Sequence, residues 1–535
     1  MALRGYQNED IAGATATAIE SQTWDDLPRR TADDVLAEIM SPDSKPMTGM
    51  PDALCHPPGL VGRIADWISS GAPESPKGLC VFAALTFVSS LGARHYLSAT
   101  DTPISIYALG IAGTGVGKDW IINAPARLIA ACAELKDDAL QVYPPERADD
   151  GERRSKVRSF NAFDHLNAPS NFTGDAALYG ALWESAVLYI RQDEAGDRLK
   201  NWNNPQSKES GIWPVFRECF SNGVLKPRAY AQGTSASGTT QALRRRAMID
   251  PAITFFGVST PAQFFAAMNM NMANDGTINR MLIIMEIAER PSRAELEATF
   301  FNQDRNENRS VPEDLVREIV STFTRQVTNT SMEGLGVDSL ERRFDVFQTP
   351  ALQRIEWDSQ EARDLLLDYV HSISEEMHDL SGFAEQGDCN RSEAAARARI
   401  GENAIRIASI LAFGDSPGDG PPRVTAEHAR WAIGVMDVVK HNLATLVVNH
   451  IESDREGLDQ PLEKLLRTID NVINAEGLVD GVAWASHSSM LQKAQKTMRK
   501  PLMSAIEDAV RDEIIERKKF RPQGKGRASL YYRIL

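Results

Sequence analysis

The chain has 535 residues, a formal net charge of −15, and 42% hydrophobic and 24% charged residues. This composition is typical of a soluble globular protein, and the length predicts about three domains. No run of eighteen apolar residues occurs, and the first ten residues lack the apolar core of a signal peptide, so we expect a cytoplasmic protein. The five cysteines are scattered without a C-x-x-C pair, which excludes a zinc ribbon or disulfide scaffold and predicts free thiols.

The chain begins with a polar segment that is rich in turn residues. Residues 1–54 predict a tail or a partner-binding segment, with one weak helix around Ala32–Met40. Two helices are predicted within Pro57–Leu97, before the first strand of a sheet.

A glycine-rich run, LGIAGTGVGKD, occupies Leu109–Asp119 between an apolar strand and an amphipathic helix predicted for Trp120–Leu135. In that setting backbone N–H groups can surround a phosphate, and a lysine can reach the β and γ oxygens of a triphosphate. The run departs from G-x-x-x-x-G-K-[ST] because Ala112 replaces the first glycine and Asp119 replaces the Mg²⁺-binding hydroxyl, and a simple glycine turn is the alternative. The residues that we expect to bind ATP here are Gly113, Thr114, Gly115, Val116, Gly117, Lys118 and Asp119, the last also as a ligand of Mg²⁺.

An apolar strand with two carboxylates at its end is predicted for Ala186–Glu194 (AVLYIRQDE). Asp193 would coordinate Mg²⁺ and Glu194 would activate the attacking water. The alternative is an ordinary strand that runs into an acidic turn.

Two more strands are predicted, Pro251–Thr260 and Met281–Ile287. The first would lie beside the Asp-Glu strand and bring Ser259 or Thr260 towards the γ-phosphate. Two segments between the Asp-Glu strand and Pro251–Thr260, Gly196–Ser210 and Ser235–Arg246, are predicted to be loops that face a central channel or, alternatively, solvent.

The region after Ile287 is predicted to be helical, with apolar residues at helical spacing in Ser359–Asp379, Ser392–Phe413 and Thr425–Val448. We therefore expect a helical lid domain there.

The C-terminal segment combines a basic charge balance with a predicted order of helix, helix, helix and β-hairpin. Ser486–Leu535 contains twelve Lys and Arg against five acids, a balance of +7, which leaves −22 for the rest of the chain. The helices are predicted at Leu462–Ala475, Ser488–Thr497 and Lys500–Arg511, and a glycine-lysine-glycine turn follows. This order predicts a winged helix-turn-helix that binds DNA, with protein contact alone as the alternative; the expected phosphate contacts are Lys518, Lys519, Lys525 and Arg527.

The order of these motifs resembles the helicase-like P-loop ATPases of bacteriophages and mobile elements, which are related to superfamily 3 and AAA+ ring helicases. The segments CHPPGLVGRIADWI (Cys55–Ile68) and RARIGENAIRIASILAF (Arg397–Phe413) also resemble that family, so the likeness covers about Pro57–Leu446. The resemblance implies that Arg280 reaches into a neighbouring subunit's site, although a surface arginine capping a strand is the alternative. It also implies that Arg397 or Arg399 senses the γ-phosphate, unless each forms only a salt bridge.

We therefore expect an α/β P-loop NTPase, with a mostly parallel sheet between helices, a helical lid and a C-terminal winged helix. Expected domains are 1–54, 55–98 (N-terminal helices), 99–290 (ATPase core), 291–450 (lid) and 460–535 (winged helix). The expected function is an ATP- and Mg²⁺-dependent DNA helicase or translocase in phage or mobile-element replication. Its partners would be DNA, further copies in a ring such as a hexamer, and a primase, in the bacterial host cytoplasm. The alternatives are an ATP-switched helicase loader or origin-binding factor without unwinding activity, and a DNA-binding regulator with an inert nucleotide fold.

Overall fold

The computed structural model describes two compact units, which are divided between Ala444 and Thr445. The described residues are 49–71, 76–135, 140–142, 160–221, 223–226, 246–267, 277–286, 293, 309–325, 339–382, 394, 397–416, 421–443, 469, 472, 484–493, 506–507, 510–511, 515–520 and 529–534. The predicted helix at Ala32–Met40 lies outside them. Within this part of the chain, no helix has both the length and the apolar character that crossing a membrane requires.

The first unit alternates helices and strands along most of its length. Its helices are α1 (Gly59–Gly71), α2 (Lys77–Gly92), α3 (Lys118–Ala133), α4 (Ala162–Leu166), α5 (Asp175–Glu184), α6 (Ala195–Asn203), α7 (Ile212–Phe220), α8 (Pro261–Ala267), α9 (Glu313–Thr324), α10 (Ser339–Phe344), α11 (Gln360–Gly382), α12 (Ile400–Asp415) and α13 (426–443). Its strands are β1 (Tyr96–Leu97), β2 (Tyr107–Ala112), β3 (Gln141–Val142), β4 (Phe160–Asn161), β5 (Val187–Gln192), β6 (Val224–Leu225), β7 (Met248–Ile249), β8 (Ala252–Ser259), β9 (Met281–Glu286), β10 (Gln353–Arg354), β11 (Glu356–Trp357) and β12 (Arg423–Val424).

The central sheet has four parallel strands in the order β5-β8-β2-β9. The three predicted strands at the Asp-Glu, Ser-Thr and Arg280 segments are confirmed as β5, β8 and β9, with ends within two residues of those expected. They are rich in aliphatic and aromatic residues and are buried almost throughout, as strands covered on both faces must be. The prediction of a mostly parallel sheet between helices is confirmed.

Glycines in two neighbouring strands allow helices to approach opposite faces of the sheet. A Cβ atom on Gly110 of β2 would lie 2.7 Å from Cγ of Leu79 in α2, and one on Gly257 of β8 would lie 2.8 Å from Cβ of Ala195 in α6. Gly257 pairs in register with Leu109, so these two residues face the same side of the sheet. Gly110 follows Leu109 and therefore faces the opposite side. Helices α2 and α6 therefore cover the two faces of the sheet.

Two helices are buried nearly all round, as expected for helices that are apolar on every side. All residues of α2 after Lys77 are buried, and α2 packs against the sheet and also against helices α1, α3 and α12. In α12, the helix predicted to belong to the lid, the fully buried Arg406 donates from Nη1 to the carbonyl oxygen of Ser105 at 2.9 Å. This contact anchors α12 beside the amino end of β2.

The prediction of a loop over Gly196–Ser210 is wrong for its first half, because Ala195–Asn203 forms α6. The segment is polar on average, but its buried residues Ala195, Leu199 and Trp202 recur at helical spacing and pack on the sheet. Of the companion segment Ser235–Arg246, only Arg246 lies within the described residues.

The second unit contains a three-stranded antiparallel sheet, formed by β13 (Ala485–Ser486), β14 (Ile515–Phe520) and β15 (Ser529–Ile534) in the order β13-β15-β14. Helix α14 (His487–Lys493) follows β13 and overlaps the predicted helix Ser488–Thr497. The described residues 469 and 472, and 506–507 and 510–511, are helical and fall within the predicted helices Leu462–Ala475 and Lys500–Arg511. The core of this unit consists of Ile469, Val472, Ala485, Met490, Ile506, Ile515 and Tyr532.

Candidate functional site

The glycine loop connects the carboxyl end of β2 to the amino end of α3. Gly115 and Gly117 have φ values of 83° and 71°, in the left-handed region that glycine adopts without strain. A Cβ atom on Gly113 or Gly115 would meet nothing within 4 Å, so the loop borders open space. No side chain caps the first turn of α3. The uncapped start of this helix and the positive end of its dipole favour an anion at this position.

Lys118 is the first residue of α3, and its side chain folds back over the loop. Nζ donates a hydrogen bond of 3.0 Å to the carbonyl oxygen of Ala112. Partial burial lowers the pKa of Lys118, whereas the negative charges of Asp193, Asp119 and Glu194 act in the opposite direction. The structure therefore places this ammonium group within the field of all three predicted carboxylates.

Asp193 and Glu194 follow directly after β5, and both are exposed. The Asp193 carboxylate accepts a hydrogen bond of 2.9 Å from the backbone N–H of Glu194. Glu194 has a φ of 50°, an uncommon conformation for a residue with a Cβ atom, and it is the N-cap residue of α6. The turn therefore holds the two adjacent carboxylates at the carboxyl edge of the sheet.

The two predicted Mg²⁺ ligands are Asp119, in the first turn of α3, and Asp193, after β5. Among the described residues no cluster of three or more His, Cys, Asp or Glu side chains could hold a metal by itself. One or two carboxylates together with phosphate oxygens and water are, however, the usual ligands of Mg²⁺ in nucleotide sites. The donor set at this edge fits a metal that is brought by a nucleotide.

Ser259 and Thr260 lie at the same edge of the sheet, at the end of β8. Ser259 pairs in register with Ile111, is buried, and donates from Oγ to the carbonyl oxygen of Thr260 at 3.1 Å. Thr260 Oγ1 donates to Gln263 Oε1 at 3.0 Å and accepts the backbone N–H of Gln263 at 3.3 Å. Thr260, which is partly exposed, is thus the more accessible of the two hydroxyl groups.

Arg280 lies at the opposite edge of the sheet, because it precedes β9, whose first residue pairs with Tyr107 at the start of β2. Its guanidinium lies 5.7 Å from the ring centre of Phe220. Burial, followed by the positive charges of Arg399 and Arg217, lowers the pKa of Arg280. A six-residue strand spans about 20 Å, so Arg280 lies far from the glycine loop of its own chain.

The two arginines before α12 form ion pairs, as the alternative interpretation expected. Arg397 Nη1 lies 2.9 Å from a carboxylate oxygen of Glu376, and Arg399 pairs with Glu402. Arg399 also acts electrostatically on Arg280, which places it near the amino edge and not beside the glycine loop.

In the second unit, two of the four expected DNA-binding residues are described. Lys518 and Lys519 are exposed on β14, an outer strand of the sheet, next to the exposed Arg517. Arg517 Nη1 donates to Glu507 Oε1 at 2.6 Å, so its charge is partly balanced. Lys525 and Arg527 lie outside the described residues.

Sequence reasoning missed a polar cavity of about 660 Å³ that adjoins Asp193 and Glu194. It lies beside β5, α3 and α6, and its lining includes Arg191, Arg198 and Asn171. Arg191, near the carboxyl end of the otherwise apolar strand β5, was the signal that could have indicated it, because arginine is uncommon in a strand that is largely buried.

Comparison with protein-family models gives no match to this chain, and comparison with curated proteins gives none either.

Proposed function

We propose that this chain is a P-loop ATPase that acts on DNA as a ring-forming helicase or translocase. The main support is that three chemically distinct groups lie at the same edge of a parallel sheet. These are the open glycine loop with Lys118 after β2, the Ser259-Thr260 pair after β8, and the Asp193-Glu194 pair after β5. Ligands of open parallel sheets bind at the carboxyl ends of the strands, which supports this edge as the nucleotide site.

Each group has a role that follows from its chemistry. The loop amides and Lys118 bind the triphosphate, and Asp193 and Asp119 hold Mg²⁺, which neutralises charge on the phosphates when it is bound. Glu194 accepts a proton from the attacking water, and Ser259 or Thr260 donates a hydrogen bond to the γ-phosphate.

The position of Arg280 supports assembly into a ring. It lies at the edge of the sheet opposite the glycine loop and so cannot act on the nucleotide site of its own chain, and in this proposal it acts on the site of another copy. There its positive charge would stabilise the charge that develops on the transferred phosphoryl group.

The second unit supports DNA as the partner. A helix between the first strand and a β-hairpin, with the strand order β13-β15-β14, is compatible with a winged helix. The exposed end of β14 presents Lys518 and Lys519 to solvent, where they can contact phosphates. Lysine on an outer strand also discourages pairing with other strands, which is a second role for Lys518 and Lys519 that does not involve DNA. A DNA-binding measurement distinguishes the two roles.

The test is ATP hydrolysis by the full chain with and without DNA, together with strand displacement on a forked duplex. We expect hydrolysis that DNA stimulates and that drives displacement. Absence of nucleotide binding and of hydrolysis would contradict the proposal. Stimulated hydrolysis without displacement would support the loading factor that the sequence left as an alternative.

A further inference from the structure

The polar cavity beside Asp193 and Glu194 is lined by Arg191, whose hydrogen-bonding capacity is only partly used. Arg191 Nη2 donates to Asn167 Oδ1 at 2.6 Å. Its Nε and Nη1 atoms are buried and have no hydrogen-bond partner in the part of the chain that the structure describes. An ionised donor that is buried without an acceptor is costly. In the described part of the chain no carboxylate pairs with Arg191, and its guanidinium carbon lies 5.8 Å from the ring centre of Tyr189.

Further hydrogen-bonding groups surround the cavity. Arg198 on α6 donates to Asn171 Oδ1 at 2.6 Å and lies 3.3 Å from Glu209. Gln192, which is 5% exposed, has a buried Oε1 without a donor among the described residues. Asn123 and Asn201 contribute two more amide side chains to the lining. The guanidinium and amide N–H groups of this lining can donate hydrogen bonds to a small anion, whereas the Gln192 oxygen can only accept one.

The arginines and the carboxylates of the lining favour different ligands. Asp193, Glu194 and Asp197 repel an anion, whereas Arg191 and Arg198 attract one. Three carboxylates against two guanidinium groups give a formal balance of −1, which a divalent cation on Asp193 would change to +1. An anion should therefore bind on the Arg191 side and in the presence of Mg²⁺.

We infer that this cavity is a phosphate-binding subsite, with Arg191 as its anchor. The guanidinium exchanges its exposed bond to Asn167 for the phosphate oxygens, and Arg198 and the asparagine amides supply further donors. The phosphate has two possible sources. One is the inorganic phosphate that ATP hydrolysis releases beside Glu194, and for this source the inference rests on the proposed function. The other source is a phosphodiester of bound nucleic acid.

Binding of inorganic phosphate to the full chain, measured by calorimetry in the presence of Mg²⁺, tests the inference. Arg191→Gln should weaken phosphate binding by about tenfold or more, because it removes charge-assisted hydrogen bonds. Lys118→Ala should retain a phosphate site of nearly unchanged affinity, because Lys118 does not line the cavity. The control Arg354→Gln, at an exposed arginine that pairs with Asp101, should bind phosphate like the original chain. Loss of phosphate binding in Lys118→Ala, or unchanged binding in Arg191→Gln, would overturn the inference.

Nucleotide binding distinguishes failure of this inference from failure of the proposed function. The Arg191→Gln chain should still bind ADP within about threefold of the original affinity, since the glycine loop is intact. A chain that binds ADP but no separate phosphate would overturn the subsite and leave the ATPase proposal in place. If Arg191→Gln does not fold, Arg198→Gln on α6 replaces it, and this change should weaken phosphate binding by a smaller factor.

A competition experiment distinguishes the two sources of phosphate. If a single-stranded oligonucleotide displaces inorganic phosphate, and Arg191→Gln weakens oligonucleotide and phosphate binding by similar factors, the subsite binds a phosphodiester. If the oligonucleotide leaves phosphate binding unchanged, the subsite binds the hydrolysis product. Both results support a phosphate site, whereas phosphate binding that survives in Arg191→Gln excludes one at Arg191.

Discussion

The ammonium group of Lys118 donates to the carbonyl oxygen of Ala112 over 3.0 Å, across the glycine loop that separates the two residues. This bond holds the lysine at the mouth of the loop, where the charges of Asp193, Asp119 and Glu194 also act on it. A triphosphate that enters the loop would replace one carbonyl oxygen by several charged oxygens. The structure therefore supplies a preorganised cation at the proposed nucleotide site.

Replacement of Lys118 by alanine should abolish ATP turnover and weaken nucleotide binding by about 10- to 100-fold, the usual effect of losing a hydrogen bond to a charged group. The measurements are ATP hydrolysis and titration with a fluorescent ADP analogue. Lys77→Ala is a matched control, because Lys77 is exposed and pairs only with Asp52 in the described part of the chain. Wild-type turnover in Lys118→Ala would contradict a phosphate-binding role for the loop.

Replacement of Glu194 by glutamine should leave ATP binding intact and reduce hydrolysis by about 10²-fold or more, because an amide cannot accept the proton of the attacking water. Glu184→Gln, at the exposed end of α5, is the control. A single-turnover assay separates binding from hydrolysis. If Glu194→Gln hydrolyses ATP at the original rate, the catalytic carboxylate has been assigned wrongly.

Arg280→Ala should bind ATP normally and hydrolyse it poorly, since Arg280 lies at the amino edge of the sheet and cannot reach its own glycine loop. Mixing Arg280→Ala with Lys118→Ala chains should restore part of the activity, because an intact loop can then meet an intact arginine on another copy. The measurement is hydrolysis across mixing ratios, together with particle size. Inactivity at every ratio and a monomer at every concentration would exclude action across a subunit interface.

The sequence predicted the central sheet well because its strands carry their own signal. The segments that form β5, β8 and β9 are apolar runs with polar residues at their carboxyl ends, as expected for parallel strands that are buried on both faces. The glycine loop could also be predicted, since Gly115 and Gly117 adopt backbone conformations that side chains disfavour.

Features that depend on distant residues were not predictable in this way. Helix α6 was missed because only three apolar residues show its buried face, which becomes recognisable once the sheet is in place. The two-residue strands β1 and β10 pair across more than 250 positions and have no pattern of their own. The polar cavity is lined by residues from several segments, among them Asn123, Asn171 and Arg198, without a shared motif.

His95 should make stability depend on pH. It is buried beside Tyr96, and burial, followed by the positive charges of Arg343 and Arg325, lowers its pKa from 6.5 to about 3. Below pH 6.5 the unfolded chain takes up a proton that the folded chain does not, so the stability from this group is complete above pH 6.5. It falls by about 1.4 kcal/mol per pH unit towards pH 3.

His95→Phe, which keeps a ring in the cavity, should remove this part of the pH dependence. The measurement is denaturant unfolding of both chains between pH 3 and pH 8, with the difference in free energy plotted against pH. Other titrating groups contribute equally to both chains and cancel in that difference. Parallel curves over this range would show that His95 is protonated equally in the folded and unfolded chains.

The C-terminal unit should contribute salt-dependent DNA affinity through the exposed end of β14. Simultaneous Lys518→Ala and Lys519→Ala changes remove two cations whose side chains are in solvent, and their cost to folding should be small. For two lost phosphate contacts, the slope of log K against log salt should fall by about 1.8 on duplex DNA and by about 1.4 on single strands. Titrations between 50 and 200 mM salt, a range over which phosphate contacts change affinity strongly, measure this slope. Lys77→Ala with Arg354→Ala removes the same charge from the first unit and is the matched control. If affinity and slope are unchanged while the particle becomes smaller, the second unit serves assembly and the DNA assignment for it is wrong.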